Sequence, residues 1–290
     1  MQVLFSTLVN GLSMGGIYAM IALGYTMVYG IAKMLNFAHG DIIMVGAYVI
    51  FVAMSLGNPL LAIAFAVIFC VLLGILVEKL AYKPLRGASP LAVLITAIGV
   101  SYLLQSLAQI IFGSANKMVI VYDFGAVKLL GVTLQLSTLV TLAVTVVVMV
   151  VLTLFIKYTR LGRAMIAVSE DRGAAQLMGI NVNVIITVTF AIGSALAALA
   201  GLFYLLRAPV VSSTLGAMPG IKAFTAAVIG GIGSVPGAML GGILLGMVET
   251  IAAQIPVITP YTDAIEFSIL IVILLVRPTG FLGKKRREKV

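Results

Sequence analysis

A polar stretch lies between two long apolar segments of the chain, at residues 157–181: KYTRLGRAMIAVSEDRGAAQLMGIN. It carries four of the chain's 18 basic residues and two of its nine acidic ones. A segment this polar stays in water, and short loops rich in lysine and arginine stay on the cytoplasmic side of a membrane. We therefore predict that this stretch is cytoplasmic, and its position orients the rest of the chain.

The remainder of the chain is apolar enough to be embedded in lipid. Of 290 residues, 62% are hydrophobic and 9% are charged, and the mean hydropathy is +1.23. Uncharged windows such as 42–77, 87–116 and 129–156 are each long enough to cross a hydrocarbon core about 30 Å thick. No alternating pattern of barrel strands is present. The sequence predicts an all-α, polytopic transmembrane helical bundle of about eight spans, forming a single domain over residues 1–290.

The basic residues gather in short segments beside the spans. Examples are EKLAYKPLR at 78–86 and the tail at 277–290, and the formal net charge is +9. This distribution fits membrane orientation and contact with anionic lipid better than nucleic-acid binding, so no nucleic-acid partner is expected. The tail predicts a cytoplasmic C-terminus, and we expect the N-terminus outside.

Two glycine-containing interruptions predict irregular backbone within the membrane. The first is NFAHGD at 36–41, and the second is GGIGSVPG at 230–237, which follows an apolar segment too short to span. Such backbone is tolerated at membrane depth only against protein or a watery cavity. We predict a broken or re-entrant helix pair around the second interruption.

His39 has two interpretations in this setting. Ionisable groups at membrane depth are costly and usually functional, so one interpretation places His39 on a permeation pathway. The other is a turn at the start of a helix at the membrane interface, where polar side chains cap free amide groups. Taken alone, the alternation of cytoplasmic and outer loops that the basic segments define favours this second interpretation. Other charged residues are predicted near the outer boundary, where they would be solvated or face a water-soluble partner: Arg207, Lys222, Asp263 and Glu266.

The local motifs of catalysis and nucleotide binding are absent from the sequence in a usable setting. There is one histidine, and neither HExxH nor GxxxxGK[ST] occurs. GLSMG at 11–15 fits GxSxG, but it lies inside the first apolar run and not at the strand-to-helix turn that this motif requires. We expect no enzyme activity, no metal site and no cofactor bound by this chain. If a nucleotide drives the protein, another subunit must bind it.

The polar stretch itself is predicted to form a short surface helix. From Arg163 to Met178 it has good helix formers and one breaker at Gly173, and Gly179 supplies a stop. The helix would present residues 170–172 to water, and Ala174, Ala175, Leu177 and Met178 to a groove in another protein. A helix on the lipid surface is the alternative, but the acidic pair and the small alanines argue against it.

Six segments occur in the order GYTMVYGI (24–31), NFAHGD (36–41), EKLAYKPLR (78–86), RLGRA (160–164), LMGIN (177–181) and KAFTAAVIGGIGSVPGA (222–238). Together they resemble the bacterial branched-chain amino acid ABC transporter permease family, specifically its LivH-type subunit. The resemblance extends over essentially the whole chain. It is specific, because the segments are long and several are polar within an apolar background.

The resemblance implies an inner-membrane permease that imports leucine, isoleucine and valine. It also implies a second, LivM-like permease, two cytoplasmic ABC ATPases that use the ATP, and a periplasmic or lipid-anchored binding protein. Permeases for urea and short amides belong to the same family, so these substrates stay open. An ion-coupled secondary carrier is the alternative from another class, and Asp41 or Glu249 would be its ion site.

The resemblance also implies two groups of site residues. The coupling segment, residues 157–183, would contain the part that the ATPase grips, a counterpart of the EAA loop of other importers. Its candidate residues are Arg163, Glu170, Asp171, Arg172, Ala174, Ala175 and Gly179. The zwitterionic substrate would need polar contacts along its pathway, and the broken helices would supply them. The candidate pathway residues are Asn36, His39, Gly40, Gly230, Gly231 and Gly233.

Overall fold

The structure is a computed structural model that describes residues 2–122, 124–129 and 131–283. The last seven residues of the predicted basic tail lie outside the described part. Within it are eleven α-helices and four short β-strands. In chain order these are α1 (Gln2–Ala32), α2 (His39–Ala53), α3 (Pro59–Val77), α4 (Pro90–Phe112), β1 (Lys117–Met118), β2 (Ala126–Leu129), β3 (Val132–Gln135), α5 (Leu136–Tyr158), α6 (Arg160–Glu170), α7 (Arg172–Leu177), α8 (Val182–Arg207), β4 (Val210–Val211), α9 (Ala217–Gly230), α10 (Val235–Ala253) and α11 (Thr262–Val276).

Eight helical segments of the described chain are long and apolar enough to cross a membrane. They comprise α1, α2 extended to Leu56, α3 extended to Leu85, α4, α5, α8, α10 and α11 with the turn before it. The predicted all-α polytopic bundle is confirmed. The apolar helix α9 has only 14 residues and turns directly into α10, as the predicted re-entrant pair requires.

Helix α1 lies at the centre of the bundle and packs most closely against α10. A Cβ atom on Gly246 of α10 would lie 2.1 Å from the backbone nitrogen of Gly15 in α1, so neither helix has a side chain at the crossing. Close backbone approach of this kind favours helix association in lipid. There the hydrophobic effect does not drive helices together, because the acyl chains are as apolar as the side chains. Around this centre, α3, α4, α5 and α11 turn large apolar side chains outward, such as Ile110 and Leu275.

The loops define two ends of the bundle. Strand β1 pairs with β4, so the chain after α4 and the chain after α8 lie at one end, the strand face. A hairpin of β2 and β3 connects α4 to α5. The other end, the basic face, carries the coupling segment and the α9–α10 turn. There the backbone amides of Phe281 and Leu282 donate to the carbonyls of Ile229 and Gly230.

The coupling segment contains two helices, so the prediction of one helix over 163–178 is wrong. The break falls at Asp171, whose backbone is extended (φ −151°, ψ 114°), and not at Gly173, which stays helical. The Asp171 carboxylate accepts a hydrogen bond from the Ala174 amide at 3.0 Å and caps α7. Aspartate is a strong N-cap, and here capping outweighs continuation of the helix. The predicted stop at Gly179 is confirmed, with φ +79°.

Candidate functional site

Helix α9 is too short to span, and α2 reaches a spanning length only with the turn at Met54–Leu56; the N-termini of the two helices meet inside the bundle. Their 15 and 14 residues correspond to about 22 and 21 Å, less than the ~30 Å of a hydrocarbon core. Since α2 runs toward the strand face and α9 toward the basic face, both begin at depth. A Cβ atom on Gly40 would lie 2.5 Å from the carbonyl oxygen of Gly216, so the two helix starts are in contact.

His39 opens α2 at this depth. Its side chain lies between Gly24 of α1 and Gly193 of α8 and is 1% exposed. The Tyr25 ring meets it edge-on, with ring centroids 4.8 Å apart. Its Nε2 atom has no hydrogen-bond partner among the residues that the structure describes. His39 does start a helix, but the prediction that it lies at the membrane interface is wrong.

Asn36 fixes the linker between α1 and α2. Its side-chain oxygen accepts a hydrogen bond from the Tyr82 hydroxyl at 2.8 Å, and both side chains are buried. Nearby, Glu78 pairs with Arg86 and accepts from Thr187 at 2.8 Å. These contacts join the ends of α3 and α8 at the basic face to the linker between α1 and α2, which leads to His39.

The glycines of the second interruption lie elsewhere. Gly230, Gly231 and Gly233 form the α9–α10 turn at the basic face, where Gly231 packs against residues 279–283 and Gly233 approaches Gly30. The structure therefore does not bring the two groups of candidate pathway residues together. The segment that meets Gly40 is the start of α9, which the sequence did not single out.

A cavity of about 250 Å³ lies beside the meeting point of α2 and α9. Its polar lining comes from Tyr25, Asp41, Ser101 and Gln105. Asp41 as a whole residue is 2% exposed, and its carboxylate accepts a hydrogen bond from Gln105 Nε2 at 2.9 Å. Sequence reasoning did not find this cavity. The signal that pointed to it is the pair Ser101 and Gln105, one helical turn apart within the apolar α4.

A second polar cluster surrounds Lys222 of α9. Its ammonium lies 2.8 Å from Asp263, 3.2 Å from Glu249 and 3.3 Å from Glu266, and Tyr18 donates to Glu249 at 2.5 Å. Because Lys222 is 7% and Glu266 0% exposed, the prediction that both are solvated or face a water-soluble partner is wrong. The cluster ties α1, α9, α10 and α11 together.

In the coupling segment, Arg172 reaches back to the end of α1. Its guanidinium donates to the carbonyl of Ile31 at 3.0 Å and to that of Ala32. These carbonyls end the helix and have no later amide to accept from, so the cation caps them. Burial lowers the pKa of the Arg172 guanidinium, and the positive charge of Arg86 lowers it further. An arginine nevertheless keeps its charge near neutral pH.

The outward side of the coupling segment is apolar at its end. Leu177 is 90% and Met178 is 81% exposed, as the docking hypothesis predicted. Ala174 is exposed, but Ala175 is buried against the bundle, contrary to the predicted presentation of both alanines. The remaining candidates are exposed on the same surface, apart from the half-buried Arg172: Arg163, Glu170, Asp171 and Gly179.

Comparisons with known proteins cover nearly the whole chain. Residues 7–274 match the family described as "Branched-chain amino acid transport system / permease component". The chain is 45% identical to the high-affinity branched-chain amino acid transport system permease protein BraD of Pseudomonas aeruginosa, over 98% of this chain and 97% of that protein. The chain belongs to this permease family.

Other relatives agree with that placement. The permease is 42% identical to the high-affinity branched-chain amino acid transport system permease protein LivH of Escherichia coli K12, over 97% of this chain and 96% of that protein. A chain of the solved complex "PsaBC from Streptococcus pneumoniae in complex with Fab" is 15% identical, with a TM-score of 0.48, over 96% of this chain and 93% of that chain. That score is too low to bear on function. Family membership and the eight spans make the permease a multi-pass membrane protein.

Proposed function

We propose that this permease is the membrane-spanning subunit of an ABC importer that carries leucine, isoleucine and valine across the bacterial cytoplasmic membrane. The observation that carries the proposal is the end-to-end similarity to permease components of branched-chain amino acid transport systems. The basic face is cytoplasmic in this proposal, because short loops rich in lysine and arginine stay on that side. The chain binds no cofactor, and the ATP is used by separate subunits.

The assembly has four kinds of partner. A second, LivM-like permease completes the pore, two ABC ATPases dock on the basic face, and a periplasmic or lipid-anchored binding protein delivers the substrate to the strand face. Membrane lipid covers the remaining apolar surface. The outward-facing side chains of α3, α4, α5 and α11 support this arrangement, since large apolar side chains at the membrane surface need either lipid or another subunit.

The ATPase grips helices α6 and α7 of the coupling segment. The strongest support is the exposure of Leu177 and Met178, because two large apolar side chains in water at the end of a surface helix favour docking into a groove. Arg172 holds the same segment to the last carbonyls of α1. A movement of α7 is therefore passed to the end of α1 and to the linker before α2.

The pathway in this proposal runs past Asn36, His39 and Gly40, and the turn with Gly230, Gly231 and Gly233 forms its cytoplasmic end. Movement of the linker would shift the start of α2 against the start of α9. Access to the meeting point would then alternate between the two faces.

The test is co-purification of the tagged permease in mild detergent, followed by ATPase assays with leucine, isoleucine, valine, urea and short amides. We expect the ATPases to co-purify and the three amino acids, delivered by the binding protein, to stimulate hydrolysis. Stimulation by urea or amides alone would instead assign the chain to the other substrate class of its family.

An ion-coupled carrier is the second candidate, because Asp41 is a buried acid at membrane depth. Uptake that persists without ATPase subunits and collapses on addition of an ionophore would favour it over the importer.

A further inference from the structure

We propose that the cavity where α2 meets α9 binds the amino acid during translocation, with Asp41 facing its ammonium group and the apolar wall facing its side chain. This inference rests on the proposed function, since it names the contacts that the permease makes with its substrate. The binding protein selects the substrate, whereas this cavity would hold it within the membrane.

The first step of the argument is the charge of Asp41. Its side chain lies at membrane depth, and its hydrogen-bond donor Gln105 is neutral. No lysine or arginine in the described ranges forms an ion pair with it, in contrast to Glu78 and the acids around Lys222. A buried carboxylate is costly unless a cation or a proton compensates it. The site therefore lacks the one positive charge that would compensate the Asp41 carboxylate.

The second step is the shape and composition of the space beside that carboxylate. The cavity measures about 250 Å³, which is far more than a bare cation fills, and Phe37, Ile98 and Ile221 form its apolar wall. A proton or a metal ion gains nothing from such a wall. A primary ammonium attached to a branched aliphatic chain uses both features, because the chain leaves water as the charge is paired.

The third step concerns the carboxylate end of the ligand. Helix α9 begins at the cavity, with Gly216 and Ala217 in its lining. No side chain caps this helix start or that of α2. The Ala217 amide already donates to the carbonyl of Thr214 and residue 219 is a proline, so the dipole of α9, more than free amides, favours an anion at this end. It complements the Asp41 cavity but does not define the site without it.

The fourth step is access. Ile98 and Ile221 are 42% and 44% exposed, and Tyr102 beside them is 66% exposed. The cavity thus opens sideways, between α4 and α9, to the surface of this chain. In the complete importer this surface would line the aqueous pathway between the chain and a second permease subunit.

The experiment uses the complete importer in lipid nanodiscs, with Ile98→Cys as a reporter at the rim. The native Cys70 is fully buried, so a maleimide labels the new thiol selectively. We expect leucine at ~10 Kd to slow labelling about tenfold, in proportion to occupancy of the cavity. 4-Methylpentanoate, which keeps the aliphatic chain and the carboxylate but lacks the ammonium, should give no protection. Unchanged labelling with leucine overturns the proposal.

Two pairs of variants test the contacts. Asp41→Asn should abolish protection by leucine, while Asp263→Asn, the same change at a half-exposed residue outside the cavity, should retain it. Ile98→Trp fills the rim and should slow leucine uptake at least about tenfold, as loss of a substrate contact does. Ile95→Trp, one turn away and 61% exposed, should not slow it. The tryptophan pair decides the question if Asp41→Asn does not assemble.

The outcomes separate this inference from the proposed function. If the unmodified importer takes up leucine with ATP, and neither protection nor the Ile98→Trp effect is seen, the cavity assignment is wrong and the importer function stands. If the unmodified complex takes up no branched-chain amino acid, both are wrong.

Discussion

At the scale of single residues, Arg172 makes the connection between the coupling segment and the bundle. It lies on α7, yet its hydrogen bonds go to the last carbonyls of α1, about 140 positions earlier in the chain. A guanidinium keeps its charge, and one of its terminal nitrogens, Nη2, donates to both carbonyls at once. A single side chain therefore joins the surface that an ATPase would grip to the helix at the centre of the fold.

We predict that Arg172→Gln uncouples ATP hydrolysis from uptake. Hydrogen bonds from a charged donor contribute about 1.5–3 kcal/mol, so the amount of leucine imported per ATP should fall on the order of tenfold. Basal hydrolysis should continue, because the docking side chains of α7 stay in place. Arg172→Lys should recover part of the loss, since its ammonium keeps the charge and has several hydrogens to donate, but on a side chain of different length and shape. The measurement is the ratio of imported leucine to phosphate released in proteoliposomes.

Arg160→Gln serves as the matched control, because Arg160 is an exposed arginine of the same segment and forms no hydrogen bond or ion pair with α1 among the described residues. If the two glutamine variants give the same ratio as the unmodified permease, Arg172 does not transmit the movement.

At the scale of the elements, the packing of α1 against α10 and the exposed end of α7 place opposite demands on side-chain size. The α1–α10 crossing excludes side chains altogether, since backbone atoms of the two helices occupy the space that a methyl group would need. The end of α7 instead exposes two of the larger apolar residues. The first contact holds this chain together, and the second is suited to another chain.

We predict that Gly246→Ala destabilises the permease by about 1–3 kcal/mol, because the new methyl group would meet backbone atoms of Gly15 that have no room to move. The Cβ position lies 2.1 Å from the Gly15 nitrogen and 2.3 Å from its Cα. Gly99→Ala is the matched control in α4, where nothing lies within 4 Å of the added atom. It should leave stability unchanged or raise it through helix propensity. The melting temperature in detergent measures both, and an equal shift in the two variants would contradict the close crossing.

The end of α7 gives a prediction about assembly. Leu177→Glu places a charge where we expect an apolar groove, and co-purification of the ATPases should fall at least about tenfold, as for loss of a central interface residue. Ala88→Glu adds the same charge to an exposed turn on the basic face, outside the coupling segment, and should not affect co-purification. Full retention of the ATPases by Leu177→Glu would exclude docking at this surface.

At the scale of the whole molecule, two polar centres organise an otherwise apolar bundle. One is the meeting point of α2 and α9, where the two helix starts leave a cavity. The other is the cluster around Lys222, which joins α1, α9, α10 and α11. Helix α11 is the span with the smallest buried share, so ion pairing contributes much of its attachment.

We predict that Lys222→Met destabilises the permease by about 3–5 kcal/mol, because it leaves buried carboxylates without their cation. Adding Glu266→Gln to this variant should restore part of the loss, since it removes the carboxylate that is fully buried. Thermal unfolding in detergent and protease access to α11 are the measurements. Lys128→Met, at an exposed position of the hairpin, should change stability by no more than about 0.5 kcal/mol. A Lys222→Met variant as stable as the unmodified permease would show that the cluster does not hold α11.

Much of the fold follows from local sequence. The uncharged window 87–116 contains the whole of α4, and Gly57 and Asn58, both turn-forming residues, stand where the chain turns before α3, which Asn58 caps. The polar character of residues 157–181 and the exposure of Leu177 were also predicted. Hydropathy, turn chemistry and capping act over a few residues, so the sequence alone determines the number of spans and where the chain must leave the membrane.

The tertiary structure decided the rest. The depth of His39, the ion pairs of Lys222 and the cavity beside Asp41 depend on which helices cross and at what level, and residues far apart in the chain create them. The break at Asp171 depended on a choice between two local breakers, and the cap of α7 settled it. The sequence thus determined that this is a multi-span permease with a surface for a partner. Only packing determined where its buried charges lie, because an ion pair or a cavity exists only after the helices that line it have met.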